Sequence, residues 1–295
     1  MDTAQKIGEA ISRSSHGALK LKSFSGALTG DEGELASQLQ RGQLDLAGLS
    51  GGALFGIVPE ATVLELPFLF RNQDEAERVV RRVLAPMRAA AAKRGVWVIG
   101  VGHIGFRHFG TRVPIRTLAD LRALRMRSQP SPAHRQFWDA LGVRHQPIGA
   151  PAVIRAFEAG EIDAIDGALT WVFASAWHQQ IKYYTLSGHI YQPALILAGA
   201  QGSARVPLAV RKAVDALAEG WIRENAQRVR EVETMLQGSL TSLGVTVQPM
   251  PPALREELRR LTSPLIEDFR RRASPTQRQL LATIEAELAR IRAGK

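Results

Sequence analysis

The 295-residue chain contains no cysteine, which removes disulfides, thiolate metal sites and cysteine nucleophiles and says little about compartment. No stretch approaches about 18 consecutive apolar residues, so nothing reads as a membrane-spanning helix. The start, Met1-Asp-Thr-Ala-Gln-Lys6, has neither the basic opening nor the apolar run of a secretory signal, so the chain shows no export address of its own. There is no Gly-x-Ser-x-Gly elbow and no phosphate-cradling Gly-Lys-Ser/Thr loop. His103, His108, His134 and His145 lack the paired helical spacing of a zinc site. An enzymatic reading therefore has no nucleophile or base to name, and no cofactor or metal is expected. No repeat occurs at solenoid periods.

What is present suits one large α/β domain or two smaller ones, with a hydrophobic fraction of 45% and a charged fraction of 22%. The net charge of +10 raises the question of nucleic acid. The basic residues are mostly arginine, however, and are mixed with glutamate on helical stretches such as Leu254-Arg-Glu-Glu-Leu-Arg-Arg-Leu261. Arg259-Arg260 and Arg270-Arg-Arg272 read as solvated helix faces rather than a phosphate track. A positive field helps collect anionic ligands. No nucleic-acid partner is expected.

Along the chain, periodicity predicts helices over Thr3–Ser14, from an Asp31 cap to Leu39, over Gln73–Arg94, Pro132–Leu141 and Pro151–Ala159, and over most of the sequence after Pro207. Strands are expected at Ala18–Phe24, Leu44–Leu49, Val96–Val101, Ile162–Gly167, Ile190–Ala198 and Gly244–Gln248, with Val63–Phe70 a strand or extended run. The alternation argues for mostly parallel sheets with covered faces. Ser50-Gly-Gly-Ala53 follows a strand at its carboxyl end, where open α/β sheets place ligands.

The most informative stretch is Gly105–Arg127. Arg107 and Arg127 each follow an apolar residue at what reads as the end of a short strand. Between them, Thr117-Leu-Ala-Asp120 reads as a helix start with Thr117 as N-cap. A guanidinium fork at a sheet edge suits bidentate capture of a carboxylate. A structural ion pair of Arg127 with an acid such as Asp120 is the plainer alternative.

Four blocks resemble the solute-binding receptors of tripartite ATP-independent periplasmic (TRAP) transporters, the DctP-like group. They are Leu39-Gln-Arg-Gly-Gln-Leu-Asp-Leu-Ala47, Leu66-Pro-Phe-Leu-Phe70, Gly105–Arg127, and Ala156–Asp166 followed by Lys182–His189. The resemblance implies a two-lobed α/β fold, closing over a ligand about hinge strands and a long connecting helix. Lobe I would comprise residues 1–104 plus about 190–242, and lobe II residues 105–189 plus about 243–295 with the C-terminal helices. It further implies a periplasmic receptor, monomeric and without catalysis, that binds an organic anion and docks on the membrane subunits of a TRAP transporter. A two-lobed sensor without a transport role is the alternative.

On this resemblance Arg127 pairs the ligand carboxylate and Arg107 supports it or holds the lobe junction. Ser50, Gln129, Trp171 and Gly167 are further candidate ligand contacts, and Asp166 an anchor for its turn. The chain departs from the family at Ala150 and Ala152, where a phenylalanine and a glutamate are usual, and at Gly167, where asparagine is frequent. These changes predict a roomier, less polar pocket unless Trp171 or Phe173 fills it, and a longer or more apolar acid as ligand. The family's first strand is not found ahead of Thr3, which suggests a misassigned start or a truncated product.

Overall fold

In the computed structural model, residues 3–23 and 32–294 are described. The elements in chain order are α1 (Thr3–Ser14), α2 (Glu32–Gln40), β1 (Leu46–Ser50), α3 (Gly51–Phe55), α4 (Gln73–Ala92), β2 (Trp97–Thr111), α5 (Leu118–Arg122), β3 (Arg125–Ser128), α6 (Pro132–Leu141), β4 (Arg144–Pro147), α7 (Val153–Glu158), β5 (Ala164–Ala168), α8 (Leu169–Ala174), β6 (Tyr183–Ala198), α9 (Ala200–Arg205), α10 (Leu208–Ser242), β7 (Thr246–Pro249), α11 (Pro252–Arg272) and α12 (Pro275–Arg292). The strands form one sheet in the order β1-β6-β2-β5-β3-β4, with β7 also on β6.

The backbone of this arrangement is the pair β2 and β6, 15 and 16 residues long, or about 50 Å each at ~3.3 Å per residue. They pair antiparallel from Trp97↔Ala198 to Thr111↔Tyr183, with register shifts that include one between His103 and Gly105. Gly105 there takes φ +116, a conformation that side chains disfavour. The expected strands at Val96–Val101 and Ile190–Ala198 are thus only the ends of longer ones. Gly100, Gly102 and Gly105 blur the apolar pattern, and bulges absorb them.

Each end of this pair carries its own core. At the β1 end, Leu49, Val98, Leu195 and Leu197 pack with Val79, Val83 and Met87 of α4 and Leu281 and Ile284 of α12. The other face of the same strands, with Trp97, Ile99 and Ala198, meets Ile7, Ala10 and Ile11 of α1 and Val210 and Val214 of α10. At the far end, Phe109, Met126 and Ala164 pack with Phe137 and Trp138 of α6 and Leu254 and Leu258 of α11. Opposite them, Ile165 and Tyr184 pack with Phe157 of α7, Val172 of α8, Trp177 and Leu240 of α10. Helix α10, 35 residues and about 52 Å long at ~1.5 Å per residue, contacts α1 and α4 as well as α8 and β7 and so spans both ends.

Several expectations are corrected. The sheet is mixed: three pairings are antiparallel and three parallel, because β6 returns beside β2 instead of crossing over a helix. Residues 18–23 form no strand; Leu19 and Leu21 instead pack against the cluster that holds α1. Phe24 and the Asp31 cap lie outside the described residues. Pro59–Glu65 is a 3-10 helix leading into a loop, where a strand or extended run was expected over Val63–Phe70. A short apolar run does not by itself distinguish these states. After β5 the chain enters α8 directly. Helix α12 packs with α4, away from β3–β5, which differs from its grouping with residues 243–295 in lobe II.

Candidate functional site

Thr117 accepts a hydrogen bond from the Asp120 backbone N–H, and the Asp120 carboxylate accepts from the N–H groups of Arg116 and Thr117. This capping box starts α5 and delivers the chain into β3, whose third residue is Arg127. It also commits Asp120, so that acid is not a partner for Arg127.

Arg107 sits inside β2 rather than at a strand end, and four of its five N–H donors are engaged. Its Nε donates to Asp166 Oδ2 at 2.8 Å and its Nη2 to the Asp166 carbonyl at 2.8 Å. Its Nη1 donates to Gln129 Oε1 at 2.9 Å and to Gln192 Oε1 at 2.8 Å. Arg107 is 3% exposed and Asp166 0%. Burial works to raise the Asp166 carboxyl, but Arg107, with the His134 and His189 imidazoles alongside, holds it well below its usual value. His189 places Nε2 3.4 Å from Asp166 Oδ2 and Nδ1 2.7 Å from Ser187 Oγ. Burial lowers this imidazole to about 4 against the pull of Asp166. His134 places Nε2 3.1 Å from Glu65 Oε2 and faces Asp166 with Nδ1.

One residue beyond Asp166, the alternation of a strand turns Gly167 to the other face of β5. Arg127 lies on that face. Its Nε donates to the Ile148 carbonyl at 2.8 Å, and its guanidinium stands over the Trp177 ring, 5.1 Å from the centroid. Its two terminal nitrogens have no hydrogen-bond partner among the described residues, and no described carboxylate lies within ion-pair distance. Arg127 is 4% exposed. Burial lowers its pKa to about 9, the Arg107 charge pushes the same way, and Asp166 opposes both. A cation held by an aromatic face in a dry site gains about 2 kcal/mol, far less than a buried charge demands.

The start of α3, directly after β1, meets the loop after β3. A Cβ on Gly51 would fall 1.7 Å from Gln129 Nε2, and one on Gly52 would fall 2.8 Å from the Pro130 carbonyl oxygen. Ser50, 1% exposed, donates its N–H to Glu32 Oε1 at 3.0 Å and holds its Oγ 2.9 Å from the same oxygen. Gln192 Nε2 donates to Ser50 Oγ at 3.1 Å. A polar chain therefore runs Glu32–Ser50–Gln192–Arg107–Asp166 across the sheet from β1 to β5.

The sequence candidates thus separate. Arg107, Gln129 and Ser50 share one network, while Arg127 and Gly167 share the opposite face. Trp171 is half-buried on α8. The room beside Gly167 is taken not by Trp171 or Phe173 but by Trp177 and Val172, whose atoms would lie 3.3 and 3.4 Å from a Cβ there. Trp177 and Gln192 carried no local sequence pattern that marks them. Only strand register brings them to the arginines.

Comparison with known proteins gives this geometry a setting. Residues 1–272 match the bacterial extracellular solute-binding protein family 7, DctP. The chain belongs to this family. A solute-binding protein of Verminephrobacter eiseniae is 28% identical over 248 residues, 82% of this chain and 72% of that protein. A TRAP periplasmic solute-binding protein from Bordetella bronchiseptica, with density assigned to pantoate, has a TM-score of 0.82 at 28% identity, covering 95% of this chain and 92% of that one. DctP7 of Bordetella pertussis, an extracytoplasmic receptor binding pyroglutamic acid, has a TM-score of 0.86 at 23% identity, covering 96% and 93%. The two-lobed α/β fold of DctP receptors is therefore the fold of this chain. Members of the DctP family are extracytoplasmic receptors for solutes rather than enzymes. Among the described residues no helix is long and apolar enough to cross a membrane.

Proposed function

We propose that the chain is a periplasmic receptor that binds an organic carboxylate between its lobes, with Arg127 as the pairing cation, and delivers it to the membrane subunits of a TRAP transporter. The observation that carries this reading is the buried Arg127 guanidinium whose terminal nitrogens lack partners among the described residues. The relatives that bind pantoate and pyroglutamic acid support it, since each ligand carries one carboxylate. Arg107 then acts from behind, fixing Gln129 and Gln192 where the lobes meet. Lobe I on this reading comprises residues 1–104, about 190–242 and α12, and lobe II comprises residues 105–189 with β7 and α11. Closure excludes water and strengthens the guanidinium–carboxylate pair. Native mass spectrometry of the purified chain, followed by calorimetry with pantoate, pyroglutamate and D-glucuronate, tests the proposal. Binding of at least one acid that is lost in Arg127→Met supports it; equal binding by both proteins rejects it.

A further inference from the structure

The feature that best distinguishes this site is the pairing of a missing side chain at position 167 with a large one at 177. Gly167 is buried, and a Cβ there would lie 3.3 Å from Trp177 Cζ3 and 3.4 Å from Val172 Cγ2. Its carbonyl is also taken, accepting from the Tyr184 hydroxyl at 3.0 Å. An amide side chain at 167 has no room while Trp177 stays where it is. Trp177, 3% exposed, covers one face of the Arg127 guanidinium. That face of the guanidinium is closed to a ligand.

The remaining chemistry on this face is one-sided. Ile148, Ala150 and Phe173 line the cluster that Trp177 belongs to. Trp177 Nε1 is a buried donor without a partner among the described residues. The His178 ring stacks on Phe173 with its centroid 4.6 Å away, and its Nδ1 faces the Val172 carbonyl. The acceptors of the Arg107 network lie across β5, on the opposite face. Asp166, Gln129 and Gln192 serve Arg107, and Glu32 is held by Ser50. Hydroxyl groups along a ligand's carbon chain would find few free acceptors, and an unpaired buried hydroxyl is penalised.

We infer that Trp177, with Gly167 as the space that admits it, is the specificity-determining residue of the site and selects monocarboxylates with an apolar acyl or aryl body over polyhydroxylated acids. This rests on the reading of Arg127 as the carboxylate partner. Trp177 is a positioning residue toward Arg127 as well as a wall toward the ligand body.

The test is calorimetric titration of phenylacetate and D-glucuronate into the full chain, Trp177→Phe, and the double variant Gly167→Asn with Trp177→Phe, each checked for fold by circular dichroism. The expected result is that the native chain binds phenylacetate at least about tenfold more tightly than glucuronate, and that the double variant reduces this ratio at least about tenfold. Trp177→Phe alone should reduce it about threefold, and it decides the matter where the double variant does not fold. A native preference for glucuronate, or a ratio unchanged in the variants, overturns the role of Trp177 while leaving Arg127 in place. Undiminished binding of either acid by Arg127→Met rejects the carboxylate reading and this inference with it.

Discussion

Arg127 stands 5.1 Å from the centre of the Trp177 ring, while the acid that most influences it, Asp166, is bound to Arg107 on the other face of β5. A charge so placed costs the empty protein stability and gives the bound one affinity. Replacing Arg127 by Met should leave the ligand-free protein as stable or more stable in urea, because removing an unpaired buried charge is favourable. It should weaken carboxylate binding by at least about a hundredfold, equivalent to ~2.8 kcal/mol. The sign with pH follows from the lowered pKa. At neutral pH the guanidinium is charged and its burial cost is fully present, and that cost is relieved only as pH rises through about 9.

Asp166→Asn should behave in the opposite way. It leaves Arg107 buried without its ion-pair partner, a change that costs about 3–5 kcal/mol, readable as a lower urea midpoint. A double variant, Arg107→Met with Asp166→Leu, should recover much of the loss. Since the folded Asp166 pKa lies well below the ordinary carboxyl value of 3.8, its contribution is intact above that pH and disappears as pH falls below it.

Gly52→Val should act on closure rather than on folding. The Cβ would meet the Pro130 carbonyl at 2.8 Å, a contact between the start of α3 and the loop after β3 that forms only when they meet. Ligand affinity should drop about tenfold, or ~1.4 kcal/mol, with little change in the melting temperature of the ligand-free chain. Small-angle scattering with ligand should show a larger radius of gyration than the native complex. A native-like radius would rule this out.

Glu233, on α10, sets its carboxyl against Gly105 at the bulge of β2. Burial raises its pKa to about 7, with the Phe106 backbone N–H opposing. The folded state therefore holds a proton that the unfolded state releases near 4.5, and the stability from this group is lost as pH rises from there through about 7. Glu233→Gln should raise the melting temperature at pH 8 and do so less at pH 5. An equal effect at both values would exclude titration of Glu233 as the cause.

Local rules made much of the fold legible. The Ser131 cap, Pro132 and the left-handed Gly142 bracket α6 as their sequence demands, and the capping box at Thr117 does the same for α5. Where neighbours at long range decide, sequence reading fell short. The apolar run at Val63–Phe70 is compatible with strand or turn until the core it fills is known. Leu19 and Leu21 alternate like a strand yet find a helix instead of a ladder partner. The glycines of β2 look like loop until β6 is laid beside them.

The site divides along the same line. Sequence alone determined that two arginines flank a capped helix, that Ser50 ends a strand before two glycines, and that position 167 lacks a side chain, because these are properties of neighbouring residues. Tertiary structure decided which arginine is paired with a carboxylate and which stands over an aromatic ring instead. That depends on Asp166, Gln192 and Trp177, each more than 35 positions from its arginine and set in place by strand register, alternation of faces and packing.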